Sequence, residues 1–293
     1  MRKHPIIFGL LLLVIIGVLF FLIIYGIASL TGERQMISLR DKIGVVPIKG
    51  VLNTSKAIVA QLDKYGEDDD VKAIVLRVDS PGGAVVPAQE IYDKIKKIKE
   101  KKKVVTSMGS VAASGGYYIA CASDKIVANP GTITGSIGVI IQFPQVKELL
   151  NKIGLKSTVI KSGKYKDVGS PSREISQDEI KLLQGLVDDI YNQFVEAVSF
   201  SRNMPKKKVK EIADGRIISG RQALEFGLVD YLGTMEYSID LAARLSGIEG
   251  KPQVVYPKEK RIGFLRYVVK EIVSTVSEAF GRGQTGVHYM YVQ

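Results

Sequence analysis

The stretch KAIVLRVDSPGGAVVPAQEIYDKIKKIKE, Lys72 to Glu100, decides the fold. Its opening, Lys72–Asp79, is a mostly apolar run of strand length that stops at Ser80-Pro81-Gly82-Gly83. From about Val85 to Glu100 the period changes. Ile91, Ile95 and Ile98 recur at i, i+4 and i+7, one face of a helix whose other face is basic. A strand that passes through a glycine turn into a helix is the repeating element of an α/β fold.

The flanking sequence repeats the alternation. IGVVPI (Ile43–Ile48) reads as a buried strand, and Thr54 is placed to cap a helix with Ile58, Leu62 and Tyr65 on one face. KVVTSM (Lys103–Met108) reads as a third strand, with GSVAASGGYY (Gly109–Tyr118) opening the next helix. KIVANP (Lys125–Pro130), GVIIQF (Gly138–Phe143) and STVIKSG (Ser157–Gly163) read as short strands. Ser176 and Glu179 form a capping-box pattern before a long helix carrying Leu183, Leu186, Ile190 and Phe194. Gly220–Asp230 is a short helix stopped at Gly227. The expected fold is α/β with at least part of its sheet parallel, and there is no internal repeat.

The ends differ from this middle. Ile6 to Leu30 carries no charge, and as a helix its 25 residues span roughly 37 Å, enough to cross a hydrocarbon core of about 30 Å. A cleaved signal peptide has a shorter apolar region, and GIASLTG (Gly26–Gly32) is a poor cleavage site. Residues 6–30 are therefore expected to be a retained transmembrane helix. Arg2, Lys3 and His4 keep residues 1–5 cytoplasmic, with a linker over 31–42 and the rest outside the cytoplasm. From Arg261 to Phe280 the residues Phe264, Leu265, Val268, Val269, Ile272, Val273 and Val276 form an apolar stripe. This C-terminal extension (258–293) reads as an amphipathic helix that docks on a neighbouring subunit or lies along a membrane.

Composition narrows the function classes. A balance of 46% apolar and 24% charged residues is that of a globular protein with an ordinary core. The net charge of +11 raises nucleic acid as a partner, but no nucleic-acid-binding motif accompanies it and no aromatics interleave the lysines. KIKKIKEKKK (Lys94–Lys103) is the solvated face of a helix, with attraction to an anionic membrane as a secondary reading. With one cysteine and two histidines, neither an intrachain disulfide nor a zinc site is expected, and no cofactor is implied.

The chemistry centres on Ser114, set between Ala112-Ala113 and Gly115-Gly116. A serine nucleophile needs a base and donors for an oxyanion. The two histidines, His4 and His288, lie in the terminal segments, so the base must be a lysine or a carboxylate. Oxyanion donors are available at the start of the helix, where Gly115 leaves its N–H open, and at the Ser80–Gly83 turn. Lys164 and Lys166 share one face of an extended segment, and spacing alone does not separate them. Asp167, beside Lys166, opposes a neutral amine if it faces that amine. Bland readings accompany each: Ser114 as helix–sheet packing, Lys166 as a solvated loop lysine, Asp79 as a turn residue. Tyr117 and Tyr118 read as core, and Arg173 as a partner for a carboxylate or a peptide carbonyl.

Four motifs in order, DSPGG (Asp79–Gly83), GSVAASGGYYIA (Gly109–Ala120), TGSIGV (Thr134–Val139) and SGKYKDVGSPSR (Ser162–Arg173), resemble the signal peptide peptidase A family. The resemblance spans about Ile43 to Leu245. It implies a Clp/crotonase-like fold of repeated β-β-α units over residues 43–257, and a membrane-anchored serine endopeptidase with a Ser–Lys dyad. By the motif match, Ser114 is the nucleophile and Lys166 the general base. Gly83 is an oxyanion donor, with Gly115 its companion, and Ser136 orients the lysine. The resemblance further implies a homo-oligomeric ring in which serine and lysine can come from adjacent protomers. Signal peptides or other apolar membrane-derived peptides are the expected substrates, bound extended along Ala84, Val85 and Val86. Competing expectations are a protease that cleaves membrane proteins, a crotonase-like acyl-thioester enzyme, and a non-catalytic membrane scaffold.

Overall fold

A computed structural model describes residues 13–23, 41–257 and 287–290. The chain divides into two compact units, Met1–Arg40 and Asp41–Gln293. In the first, residues 13–23 form helix α1, with its apolar side chains exposed. Among the described residues no helix is long and apolar enough to cross a membrane. The ends of the expected transmembrane helix 6–30, and the expected amphipathic helix Arg261–Phe280, lie outside the described residues.

In the second unit β1 (Lys42–Lys49), α2 (Lys56–Glu67), β2 (Val71–Ser80), β3 (Gly82–Ala84), α3 (Val85–Lys99), β4 (Lys103–Ala113) and α4 (Gly115–Ala120) occur in order. Then come β5 (Lys125–Ala128), β6 (Ile133–Gly135), β7 (Ile140–Ile141), α5 (Lys147–Lys152), α6 (Gln177–Ser201) and α7 (Lys206–Ile212). The described chain closes with β8 (Ile217–Ser219), α8 (Gly220–Glu225), β9 (Tyr231–Leu232), α9 (Met235–Leu245), β10 (Gln253–Val255) and β11 (Val287–Met290).

The main sheet runs β10-β1-β2-β4-β5-β9 with parallel pairing throughout. β6 lies parallel to the far end of β4, and β8 antiparallel to β6. Alternation along β2 explains the unbroken apolar run read from the sequence. Ile74, Leu76 and Val78 enter one core with α2, α3, α4 and α6, while Ala73 and Val75 enter a second core beneath α9. A parallel sheet covered on both faces needs apolar residues at every position. Each fully buried Ile or Leu there adds about 1.5–3 kcal/mol of transfer free energy.

Three sequence expectations change. The third strand does not end at Met108 but continues through Gly109–Ala113, so helix α4 starts only at Gly115. Ser157–Gly163 is not a strand, and of Gly138–Phe143 only Ile140–Ile141 is strand. No neighbouring strand pairs with Ser157–Gly163 among the described residues, and an alternating pattern without a ladder partner stays a loop. The first turn of α2 begins one residue later than the Thr54 reading, with Ser55 at the cap position making no side-chain cap bond. The Ser176–Glu179 capping box and the stop at Gly227, with φ +75°, stand as read.

Candidate active site

Ser114 is placed by an irregularity in β4. Register between β2 and β4 runs evenly to Val78 opposite Met108, then resumes at Ser80 opposite Ala112. The two extra residues in β4 are accommodated by Asp79, whose Oδ1 accepts the Val111 N–H at 3.1 Å. A Cβ on Gly109 would stand 2.7 Å from the Asp79 Cγ, so glycine is required there. Thr132 Oγ1 donates to the Gly109 carbonyl at 2.8 Å and Thr134 Oγ1 to the Ala112 carbonyl at 2.7 Å. Asp79 is thus the support of a bulge, more than the turn residue read from sequence. Bulges of this kind re-aim the side chains beyond them.

Ser114 comes directly after this strand, at φ 52° and ψ −116°. Non-glycine residues avoid that region, and holding one there costs about 1–3 kcal/mol. The Ser114 N–H is fixed on the Gly135 carbonyl at 2.8 Å, and its carbonyl accepts the Tyr118 N–H at 2.8 Å to begin α4. The side chain is 1% exposed, and its Oγ makes no hydrogen bond among the described residues. A buried orphan hydroxyl costs about 1–3 kcal/mol. Strain and an unmet hydrogen bond on one serine are two destabilising features that packing alone does not require. Cys121, at the other end of α4, is buried and its thiol is pushed up to about 12 by desolvation, which removes it as a thiolate nucleophile.

The Ser80–Gly83 turn closes against the same helix. Gly116 has no room for a Cβ, which would meet the Ser80 carbonyl oxygen at 2.7 Å. A Cβ on Gly83 would meet the Leu52 backbone at 2.5 Å. Leu52 donates to the Gly82 carbonyl and accepts from the Ala84 N–H, both at 2.8 Å. The extended segment is Gly82–Ala84. Val85 and Val86 open α3 instead of continuing the strand, so of the three expected substrate-pairing residues only Ala84 lies in β3. In the small sheet β3-β11-β7, Gly82, Gly83 and Ala84 pair antiparallel with Met290, Tyr289 and His288. β11 also pairs with β7. No feature of the sequence signalled that the chain's own C-terminal segment lies along this edge.

Ser136 is the residue after the Gly135 that holds Ser114. It too has positive φ, 50°, and its N–H donates to the Arg216 carbonyl at 2.8 Å. It lines a cavity of about 600 Å³ together with Ile140, Val187, Tyr191 and Gly215. Lys166 does not reach Ser114 within one chain: the serine Oγ has no partner, and Lys166 is exposed. It sits in the turn segment 161–176, and α5 just before that segment buries no residue.

Of the loop lysines, Lys161 pairs with Asp167 at 2.5 Å and Lys164 with Asp178 at 2.5 Å. Lys166 has no carboxylate partner among the described residues. The Asp178 carboxylate raises the pKa of Lys164, favouring its protonated form. Charge pairing thus distinguishes Lys164 from Lys166 where spacing did not.

Arg173 bridges Asp167 and Glu179, holding Asp167 below the usual carboxylate range and Glu179 down to about 2. Both folded values lie below the ordinary carboxylate range of about 4, so their stabilisation is complete above that pH and is lost as pH falls through the folded values. Hydrogen exchange of the amides in 161–180 is expected to be pH-independent, after correction for intrinsic rate, down to about pH 4 and to accelerate between about pH 4 and 2. Corrected rates that stay flat over that range would contradict the ion-pair account.

The geometry is thus a strained serine opening a helix, with a glycine turn beside it at the C-terminal end of the strands. Comparison with known proteins identifies the class. The chain matches Peptidase family S49 over residues 96–249, more than half its length, and Clp protease over residues 36–132. A Synechocystis sp. protein named as a protease is 50% identical over 214 residues, covering 72% of this chain and 77% of the relative. An Enterococcus faecium protein named signal peptide peptidase SppA is 45% identical over 183 residues, 62% of this chain and 53% of the relative. The chloroplastic serine protease SPPA of Arabidopsis thaliana is 36% identical over 228 residues, 75% of this chain and 34% of the relative. The chain thus spans about half of the second and a third of the third. It belongs to peptidase family S49, the signal peptide peptidase A family, and is a serine peptidase.

Proposed function

We propose that this chain is a membrane-anchored endopeptidase that cleaves apolar, extended peptides, signal peptides among them, with Ser114 as nucleophile and Lys166 as base. The observation that carries the reading is the buried, unpartnered Ser114 hydroxyl held at strained φ,ψ at the head of α4. Its missing partner is supplied by the Lys166 amine of an adjacent copy, which takes the hydroxyl proton as Oγ attacks the scissile carbonyl. The N–H groups of Gly83 and Gly115 hold the resulting oxyanion. Ser136, one residue from the carbonyl that anchors Ser114, orients the incoming amine. The lysine then passes its proton to the leaving amine, and water deacylates the enzyme by the reverse sequence.

Substrate adds as a strand along Gly82–Ala84, in the place that residues 287–290 occupy by antiparallel pairing. The exposed Leu149, Ile153, Leu155 and Ile160 of the 142–176 segment support assembly with a second copy of the chain, since a monomer gains nothing by leaving them in water. The apolar stretch 6–30 supplies the anchor, keeping the site near membrane-derived peptides.

A fluorophosphonate probe is expected to form one adduct, on Ser114, and mass analysis of the peptide 104–125 locates it. A chain ending at Gly286 is expected to label faster than the full chain, because the strand position is vacated. Labelling elsewhere, or none in the assembled protein, overturns the reading. The shortened chain also lacks His288, whose backbone lies opposite Ala84, so its retained hydrolysis would dispose of His288 as the base.

A further inference from the structure

Lys166 and Asp167 are neighbours, and a carboxylate left facing an amine stabilises the ammonium form that cannot act as a base. The structure turns the Asp167 side chain away into a cluster. Arg173 Nε donates to Asp167 Oδ2 at 2.9 Å and Nη2 to Oδ1 at 2.9 Å, and Lys161 Nζ meets Oδ1 at 2.5 Å. Arg173 Nη2 also donates to the Asp167 main-chain carbonyl at 3.1 Å. The same guanidinium reaches Glu179, with Nη1 donating to Oε2 at 2.8 Å and Nη2 to Oε1. Glu179 in turn accepts the Ser176 N–H at 2.8 Å at the start of α6. Arg173 Nη1 further donates to the Glu174 carbonyl at 2.9 Å.

One planar fork thus ties the residue beside Lys166 to the first turn of a 25-residue helix. The side chains of Asp167 and Glu179 are 12% and 4% exposed, so the cluster is far less solvated than an ordinary surface pair. The other charges near it are already matched. Asp178 of α6 is on Lys164, and Glu174 is on Lys147 of α5 at 2.9 Å. Among the described residues every carboxylate within 161–179 has a cation, and of Lys161, Lys164 and Lys166 only Lys166 has no carboxylate partner.

We propose that Arg173 is a positioning residue for Lys166: it locks the lysine's loop onto α6 and keeps the Asp167 carboxylate engaged, so that the neighbouring amine is presented without a counter-charge. The inference rests on Lys166 being the base, and the test separates the two. A lysine could not replace Arg173, because an ammonium cannot span two carboxylates and two carbonyls in one plane.

The experiment measures kcat and KM against pH on the full-length assembled enzyme with a fluorogenic apolar peptide, for wild type, K166A, R173Q, R173K and R173Q/D167N. In R173Q, kcat is expected to fall by up to about 100-fold, the cost of displacing a catalytic group by about 1 Å. KM is expected to change little. The acid limb of the profile is expected to move to higher pH by up to about one pH unit, since Asp167, left with Lys161 alone, turns part of its charge toward the neighbouring amine. In R173Q/D167N the limb returns to the wild-type position. In R173K the limb stays in place, because a cation still faces Asp167, while kcat falls with the loss of the fork. Far-UV circular dichroism confirms that each variant is folded. Should R173Q unfold, the R173K and R173Q/D167N profiles still decide, the former by its kcat loss at an unmoved limb. An inactive K166A beside an R173Q limb that stays put overturns the Arg173 inference alone. An active K166A overturns the dyad reading beneath it.

Discussion

Replacing Ser114 with alanine is expected to abolish peptide hydrolysis while making the protein more stable. The activity loss should be about four to six orders of magnitude, the scale seen when a serine nucleophile is removed from a site that keeps its oxyanion donors. The stability gain comes from the geometry. Within a single chain the Ser114 Oγ is buried with no hydrogen-bond partner among the described residues, so in the unassembled chain deleting it relieves a desolvation cost of roughly 1–3 kcal/mol and leaves a void no larger than one atom. S114G should gain more, since glycine also escapes the strain of φ 52° and ψ −116°. Thermal unfolding of the unassembled chain and peptide turnover of the assembled enzyme check the two halves. A merely structural serine predicts the same stability gain but with activity retained within tenfold, so turnover is the half that decides. Hydrolysis by S114A within tenfold of wild type would end the assignment.

The β2–turn–α3 unit was legible because its cues are local. An apolar run, a Pro-Gly-Gly stop and an isoleucine stripe each act within a few residues, and β2 and α3 form close to where they were read. The extension of β4 was not legible. Gly109–Ala113 looks like small-residue helix packing, and it is strand because β6 pairs with Val111–Ala113 while Asp79, Thr132 and Thr134 from other segments bond its backbone. Neither could the strain at Ser114 be read, because positive φ on a serine leaves no trace in residue type. The small neighbours were readable, and Gly116 shows their purpose in its contact with the Ser80 carbonyl.

Periodicity also says that a face will be covered without saying by which chain. Along α6, Phe194 is 0% exposed and Leu186, eight residues earlier on the same stripe, is 44% exposed. Ser157–Gly163 has the alternation of a strand, yet Ile160 stands 98% exposed. Both side chains are left uncovered by the described residues, a fact that periodicity and residue type do not carry.

The same reasoning predicts that two dead variants restore each other. S114A keeps its lysine and K166A keeps its serine, and each is expected to be inactive as a pure assembly. If a site takes its serine from one copy and its lysine from the next, a heterologous contact repeats around a closed ring. In a random equal mixture, about one site in four then has a K166A copy supplying the serine and an S114A copy supplying the lysine. Co-expressed protein should recover about a quarter of wild-type turnover, with the serine-reactive probe labelling the K166A copies only in the mixed assemblies. Within one chain Ser114 Oγ has no partner, which is the geometry a shared site requires before its neighbour arrives. A site completed inside each chain predicts no recovery at any mixing ratio. Native mass spectrometry establishes that mixed assemblies have formed. Mixed rings that stay inactive would assign the lysine to the same chain as the serine, and the 142–176 segment would then have to fold inward onto its own Ser114.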